Sequence, residues 1–92
     1  MTINVNSTVK VKEDLIYSKI DNEVVMMTPD HEDYLNLNGV GSVIWEKLSR
    51  AQRVEDIKRE LLEQFEVSED TCEQELIAFL NNLHDKKLIE VD

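Results

Sequence analysis

The chain has 92 residues, 20 of them acidic and 10 basic, for a formal charge of −10. A surface of that sign repels phosphate polyanions and anionic headgroups, which argues against nucleic acid or a membrane surface as partner, and no run of roughly 18 apolar residues could span a bilayer. With 41% apolar and 33% charged residues, the composition predicts a single folded domain over residues 1–92 around one modest core.

Residues 1–13 read as an N-terminal extension in which Val9-Lys10-Val11-Lys12 alternates and supplies an extra strand. Leu15-Ile16-Tyr17-Ser18-Lys19-Ile20 and Val24-Val25-Met26-Met27 follow as strands, joined by Asp21-Asn22, residue types that tolerate left-handed backbone and make tight hairpin turns. Pro29-Asp30-His31-Glu32-Asp33 is a polar break, after which Tyr34-Leu35-Asn36-Leu37 alternates and returns as a further strand. The period then becomes helical. Val40, Val43, Ile44 and Leu48 form one stripe behind Asn38 as N-cap, with Gly39 and Gly41 near its start. Val54, Ile57, Leu61, Leu62 and Phe65 form a second stripe, with Glu55 and Asp56 at the positive end of the helix dipole. Ser68 caps a third helix carrying Cys72, Leu76, Phe79, Leu80 and Leu83 on one side. Leu88-Ile89-Glu90-Val91 closes the chain as a last strand or an extended tail. The expected class is α+β: a small antiparallel sheet of about three strands followed by three helices.

Catalytic and cofactor signatures are absent from the sequence. His31 and His84 stand far apart, Cys72 is the sole cysteine, and no Cys/His spacing suits a metal, so neither metal nor cofactor is expected. Gly39-Val40-Gly41 lacks the third glycine of a dinucleotide fingerprint and the Lys-Ser/Thr of a phosphate loop. Cys72 reads as a small core residue on an apolar stripe. The chain is expected not to be an enzyme. A lone cysteine, and residues 1–20 without a basic start followed by an apolar stretch, point to a cytoplasmic setting.

Two features carry more. Between Glu60 and Glu75 lie seven acids, Glu60, Glu63, Glu66, Glu69, Asp70, Glu73 and Glu75, without a basic residue, a patch that could steer a basic peptide. The sheet must also keep open edges, since so few strands cannot close a barrel. Lys10, Lys12 and Lys19 would blunt the edges of the first two strands, whereas Tyr34-Leu35-Asn36-Leu37 carries no charge and is the better acceptor for an incoming strand. An open edge can also pair with its own copy, so a monomer or a weak dimer is expected.

The stretch Tyr34-Leu35-Asn36-Leu37-Asn38-Gly39-Val40-Gly41-Ser42-Val43-Ile44-Trp45 resembles the PqqD-like family. These are recognition elements for ribosomally synthesised, post-translationally modified peptides. Val54-Glu55-Asp56-Ile57 with Leu61, then Glu75-Leu76, Phe79-Leu80, Leu83 and Leu88-Ile89, follow in the family's order. The sequence departs from it at Lys87, where a glycine usually precedes the final Leu-Ile, and at Arg50-Ala51-Gln52-Arg53, which replaces the usual start of the second helix.

The resemblance implies a winged helix-turn-helix-like fold and a binding role. The leader segment of a precursor peptide would add as a strand along Glu32, Asp33, Tyr34, Leu35, Asn36 and Leu37. Its side chains would fall into pockets built partly by Leu76, Phe79 and Leu80, with Glu73 and Glu75 available to a leader lysine or arginine. The Leu37-Asn38, Gly41, Ile44-Trp45 form is most similar to the discrete proteins of lasso-peptide clusters, where the partner is a separate leader peptidase or other modifying enzyme. The alternative within the family is a chaperone of pyrroloquinoline quinone biosynthesis that delivers its precursor to a radical SAM enzyme. Outside it stands a winged-helix transcription regulator, against which the acidic third helix argues.

Overall fold

Apolar residues at alternate positions along the first half of the chain and at helical spacing along the second produce two small sheets and three helices. The computed structural model describes residues 3–13, 15, 17–21, 23–28, 34–37 and 39–92. Strands β2 (Tyr17–Ile20), β3 (Glu23–Met27) and β4 (Tyr34–Leu37) form an antiparallel meander in the order β2-β3-β4. Its register pairs Ile20 with Glu23 and Val24 with Leu37. Asp21 has a φ of 55°, the left-handed conformation expected of a tight hairpin turn. Asn22 and the break from Pro29 to Asp33 lie outside the described residues.

The inner face of this meander carries Val24, Met26, Leu35 and Leu37 and packs on α1 (Val40–Lys47). Tyr17 on β2 meets the buried Trp45 of α1 edge to face, with ring centroids 5.8 Å apart, and Lys19 on β2 forms an ion pair with Glu46 of the same helix. The N-cap of α1 is Gly39, not the expected Asn38, which lies outside the described residues. Gly39 has a φ of 57° and provides no side-chain cap, and this backbone conformation favours glycine.

The second sheet has the order β5-β1-β6, built from β1 (Thr8–Val11), β5 (Gln52–Arg53) and β6 (Ile89–Val91). The expectation that Lys10 and Lys12 guard a strand edge is corrected here, because β1 is the central strand. Both of its edges are occupied by segments from distant parts of the sequence, with Val9 opposite Gln52 on one side and Val91 on the other. The chain continues the pairing beyond the sheet: Val11 N–H donates to Leu48 O, Lys12 N–H to Leu88 O, and Asp92 N–H to Thr8 O.

Helix α2 (Val54–Gln64) begins on Arg53 without a side-chain cap. Its first amides are instead satisfied by the N-terminal extension, Val54 N–H donating to Ser7 O and Glu55 N–H to Val5 O. Helix α3 (Glu69–Asp85) starts as expected on Ser68, whose hydroxyl accepts from Thr71 N–H. It ends in a Schellman turn: Leu88 N–H donates to Leu83 O and Lys87 N–H to His84 O, with Leu83 and Leu88 both fully buried. The left-handed position in that turn, with a φ of 62°, is held by Lys87. Three helices following the meander give a winged-helix-like arrangement. Among the described residues, no helix is long and apolar enough to cross a membrane.

Candidate functional site

β4 lies at the end of its sheet, and no strand among the described residues pairs with its outer edge. Its side chains alternate: Leu35 and Leu37 point inward, while Asn36 and Tyr34 face water, Tyr34 with 72% of its surface exposed. The ladder also fixes where the main-chain groups point. A two-residue hairpin closes on a pair that exchanges both hydrogen bonds, here Ile20 and Glu23, and bonding alternates from there. Glu23 and Val25 thus bond toward β2, and Val24 and Met26 bond toward Leu37 and Leu35 on β4. The N–H and C=O groups of Tyr34 and Asn36 are therefore directed at the open edge.

Beside the end of β4, α1, α2 and α3 enclose an open apolar cavity of about 300 Å³. The start of α1 contributes Val40, Gly41 and Ile44, and the end of α2 contributes Leu61 and Phe65. Cys72, Glu75, Leu76 and Phe79 line it from α3. A seam joins the cavity to the strand, since a methyl on Gly41 would stand 3.4 Å from the Phe79 ring and 3.7 Å from Leu37. Phe65 and Val40 leave apolar surface in water at the mouth, where they are 37% and 44% exposed.

The expected site residues separate under this geometry. Tyr34, Leu35, Asn36 and Leu37 form the edge strand, and Glu75, Leu76 and Phe79 line the adjacent cavity. Glu32 and Asp33 lie outside the described residues. Leu80 is fully buried in the core. Glu73 faces the other side of α3, where the Lys58 ammonium lies 2.9 Å from its carboxylate and 2.9 Å from that of Glu69. These contacts hold the Lys58 pKa well above the ordinary lysine range, and the same ammonium holds the Glu69 carboxyl below its ordinary value. Lys47 stands 3.7 Å from Glu60, so three of the seven acids between Glu60 and Glu75 already have cationic partners. Glu75 has no ion pair among the described residues.

Cys72 is buried at the cavity wall, and burial pushes its thiol above the ordinary range, the opposite of an activated nucleophile. Among the described residues no cluster of His, Cys, Asp and Glu could hold a metal. In the sequence Phe65 and Cys72 belong only to apolar stripes, and Val67, another lining residue, stands outside them. A signal for the latter pair existed: Val67 and Cys72 stand just before and four residues after the Ser68 cap, the positions of a hydrophobic staple.

These features can be set beside known proteins. No curated protein sequence matches the chain. Among solved structures it is similar to TbiB1 in complex with the TbiA(beta) leader peptide, with a TM-score of 0.80 and 33% sequence identity over 88% of this chain and 94% of that one. The family model for coenzyme PQQ synthesis protein D matches residues 23–89, which span β3 through the start of β6. By that match, covering most of its length, this chain belongs to the PqqD family.

Proposed function

We propose that the chain binds the leader segment of a ribosomally synthesised precursor peptide as an added strand on β4 and presents the remainder to a separate modifying enzyme or leader peptidase. The observation that carries this reading is the open edge of β4, with the main-chain groups of Tyr34 and Asn36 directed outward beside an apolar cavity. Strand addition draws affinity from main-chain bonds and specificity from pockets for alternate side chains, and this edge offers both. The similarity to a protein held in complex with a leader peptide supports the same reading. The chain itself contributes binding and positioning in the cytoplasm, and the chemistry belongs to the partner. A pyrroloquinoline quinone precursor would use the same edge, and the Leu37-Asn38, Gly41, Ile44-Trp45 form favours the lasso-peptide setting. A DNA-binding role fits the shape alone, since α3 carries Glu69, Asp70, Glu73 and Glu75.

The test is a titration of the protein with the leader of a precursor encoded beside it, followed by amide shifts. Saturable binding with shifts at Tyr34 to Leu37 is expected. Saturable binding that leaves those four amides unmoved, or no binding, overturns the proposal.

A further inference from the structure

We infer that the outer edge of β2 is a self-association surface, on which a second copy of this chain pairs β2 against β2 about a two-fold axis. This goes beyond the leader-binding reading and does not depend on it. β2 ends its sheet on the side opposite β4, and no strand among the described residues pairs with its outer edge. All of its residues are exposed, among them Tyr17 at 50% and Ile20 at 61%. Bonding alternates along the hairpin from Ile20 and Glu23, so Ser18 and Ile20 bond toward β3, and the N–H and C=O groups of Tyr17 and Lys19 point outward. The outer edges of β5 and β6 run for only two and three residues, whereas β2 offers four.

An exposed edge is ordinarily protected by charge, and Lys19 is the only charged residue of β2. Here that charge is withdrawn from the edge, because Lys19 shares the inner face with Tyr17 and its ammonium pairs with Glu46 on α1. The strand is also complementary to itself. With Ser18 opposite Ser18 of the second copy, Tyr17 of each chain faces Lys19 of the other, and both residues direct their main-chain groups across the junction, so each pair exchanges both ladder bonds. No like charges stand opposite in that register, and each lysine lies beside a tyrosine ring. Centring the axis on Lys19 instead would oppose two lysines. Each copy carries a formal charge of −10, so repulsion that salt screens works against the pairing and keeps the dimer weak. The two meanders then form one continuous sheet with a β4 at each end, and both β4 edges stay open.

Cysteine crosslinking and sedimentation of the full chain test this. In a Cys72→Ala background, Ser18→Cys sets two thiols opposite each other at the axis, a non-hydrogen-bonded pair with Cα atoms about 4.5 Å apart and within disulfide reach. Asn36→Cys on β4 and Glu90→Cys on β6 place an equally exposed thiol on the other strands at sheet ends. In a glutathione buffer Ser18→Cys is expected to form disulfide dimer about tenfold faster than either control, since pairing raises the effective thiol concentration. The rate should rise as salt goes from about 0.05 to about 0.5 M. Sedimentation of the unmodified chain at about 1 mM should show a dimer fraction that Lys19→Pro, which removes an outward N–H, abolishes and Lys19→Met, which keeps it, does not. Equal crosslinking in all three variants, faster crosslinking at Asn36→Cys or Glu90→Cys, or a single-chain mass at every concentration and salt overturns the inference. None of these outcomes touches strand addition on β4, which the leader titration decides by itself.

Discussion

Both sheets have three strands in antiparallel pairing, yet they are assembled in opposite ways. In β5-β1-β6 the central strand comes from the N-terminal extension, and its flanking strands of two and three residues are drawn from far along the chain. Val9 is fully buried there, and the main chain around it also caps α2 through Val5 and Ser7. In β2-β3-β4 the strands are consecutive, and β4 ends in an open edge beside a cavity. Pairing alone does not distinguish a binding sheet from a structural one. What distinguishes them is that an apolar recess adjoins the open edge of β4.

The largest effect expected from breaking this contrast lies in the sheet centred on β1. Val9→Ala should destabilise the protein by about 2 kcal/mol, the loss of two buried methyl groups plus the cavity they leave. Urea unfolding would measure it, while peptide affinity of the folded fraction should stay within about twofold. A comparable loss of affinity with unchanged stability would reverse the roles assigned to the two sheets.

Asn36→Pro probes the open sheet. Because the Asn36 N–H faces the edge, its removal deletes no bond to β3, and proline is tolerated on such an edge. Stability should change little, whereas peptide affinity should fall about tenfold for the lost ladder bond. Calorimetric titration and thermal unfolding on the same variant separate the two outcomes. A large drop in stability would mean that the alternation along β4 is shifted by one residue.

Much of this contrast was legible in the sequence, and the illegible part has physical causes. The alternation of Tyr34-Leu35-Asn36-Leu37 marked an uncharged strand, and Ser68 marked the start of α3 through its hydroxyl. Gln52-Arg53 carries no strand signal because two residues cannot show a period, so the sequence hides the central place of β1 and makes Lys10 and Lys12 look like edge guards. On α3 the apolar positions served two surfaces at once: Leu80 turned into the core while Phe79, its neighbour, turned toward the cavity. Glu73 and Glu75 looked alike in sequence, and only the position of Lys58 on α2 told them apart.

Lys87 gives a smaller effect of opposite sign. A non-glycine residue in left-handed backbone costs about 1–2 kcal/mol, partly offset by the greater entropy that glycine loses on folding. Lys87→Gly should therefore stabilise the protein by about 0.5–1 kcal/mol and raise the melting temperature by a few degrees. Because the turn joins α3 to β6, in the sheet centred on β1, peptide affinity should not move.

The smallest effect is a pH dependence at Lys58, on the side of α3 turned away from the cavity. The Lys58 ammonium lowers the Glu69 pKa relative to the unfolded chain. A group with a depressed folded pKa contributes stability above its unfolded value, about 4.3 for glutamate, and loses it as pH falls through the folded value. Lys58 has the opposite sign: its raised pKa contributes fully below the ordinary lysine range and fades only at higher pH. The stability gap between wild type and Lys58→Met should accordingly be level from about pH 6 to 9 and narrow as pH falls below about 4. Unfolding in urea across that range would show it. A gap that persists at acid pH would mean that Lys58 stabilises α2 against α3 by packing its methylenes, not by holding Glu69 and Glu73, and the distinction between those two acids and the unpaired Glu75 would then rest on geometry alone.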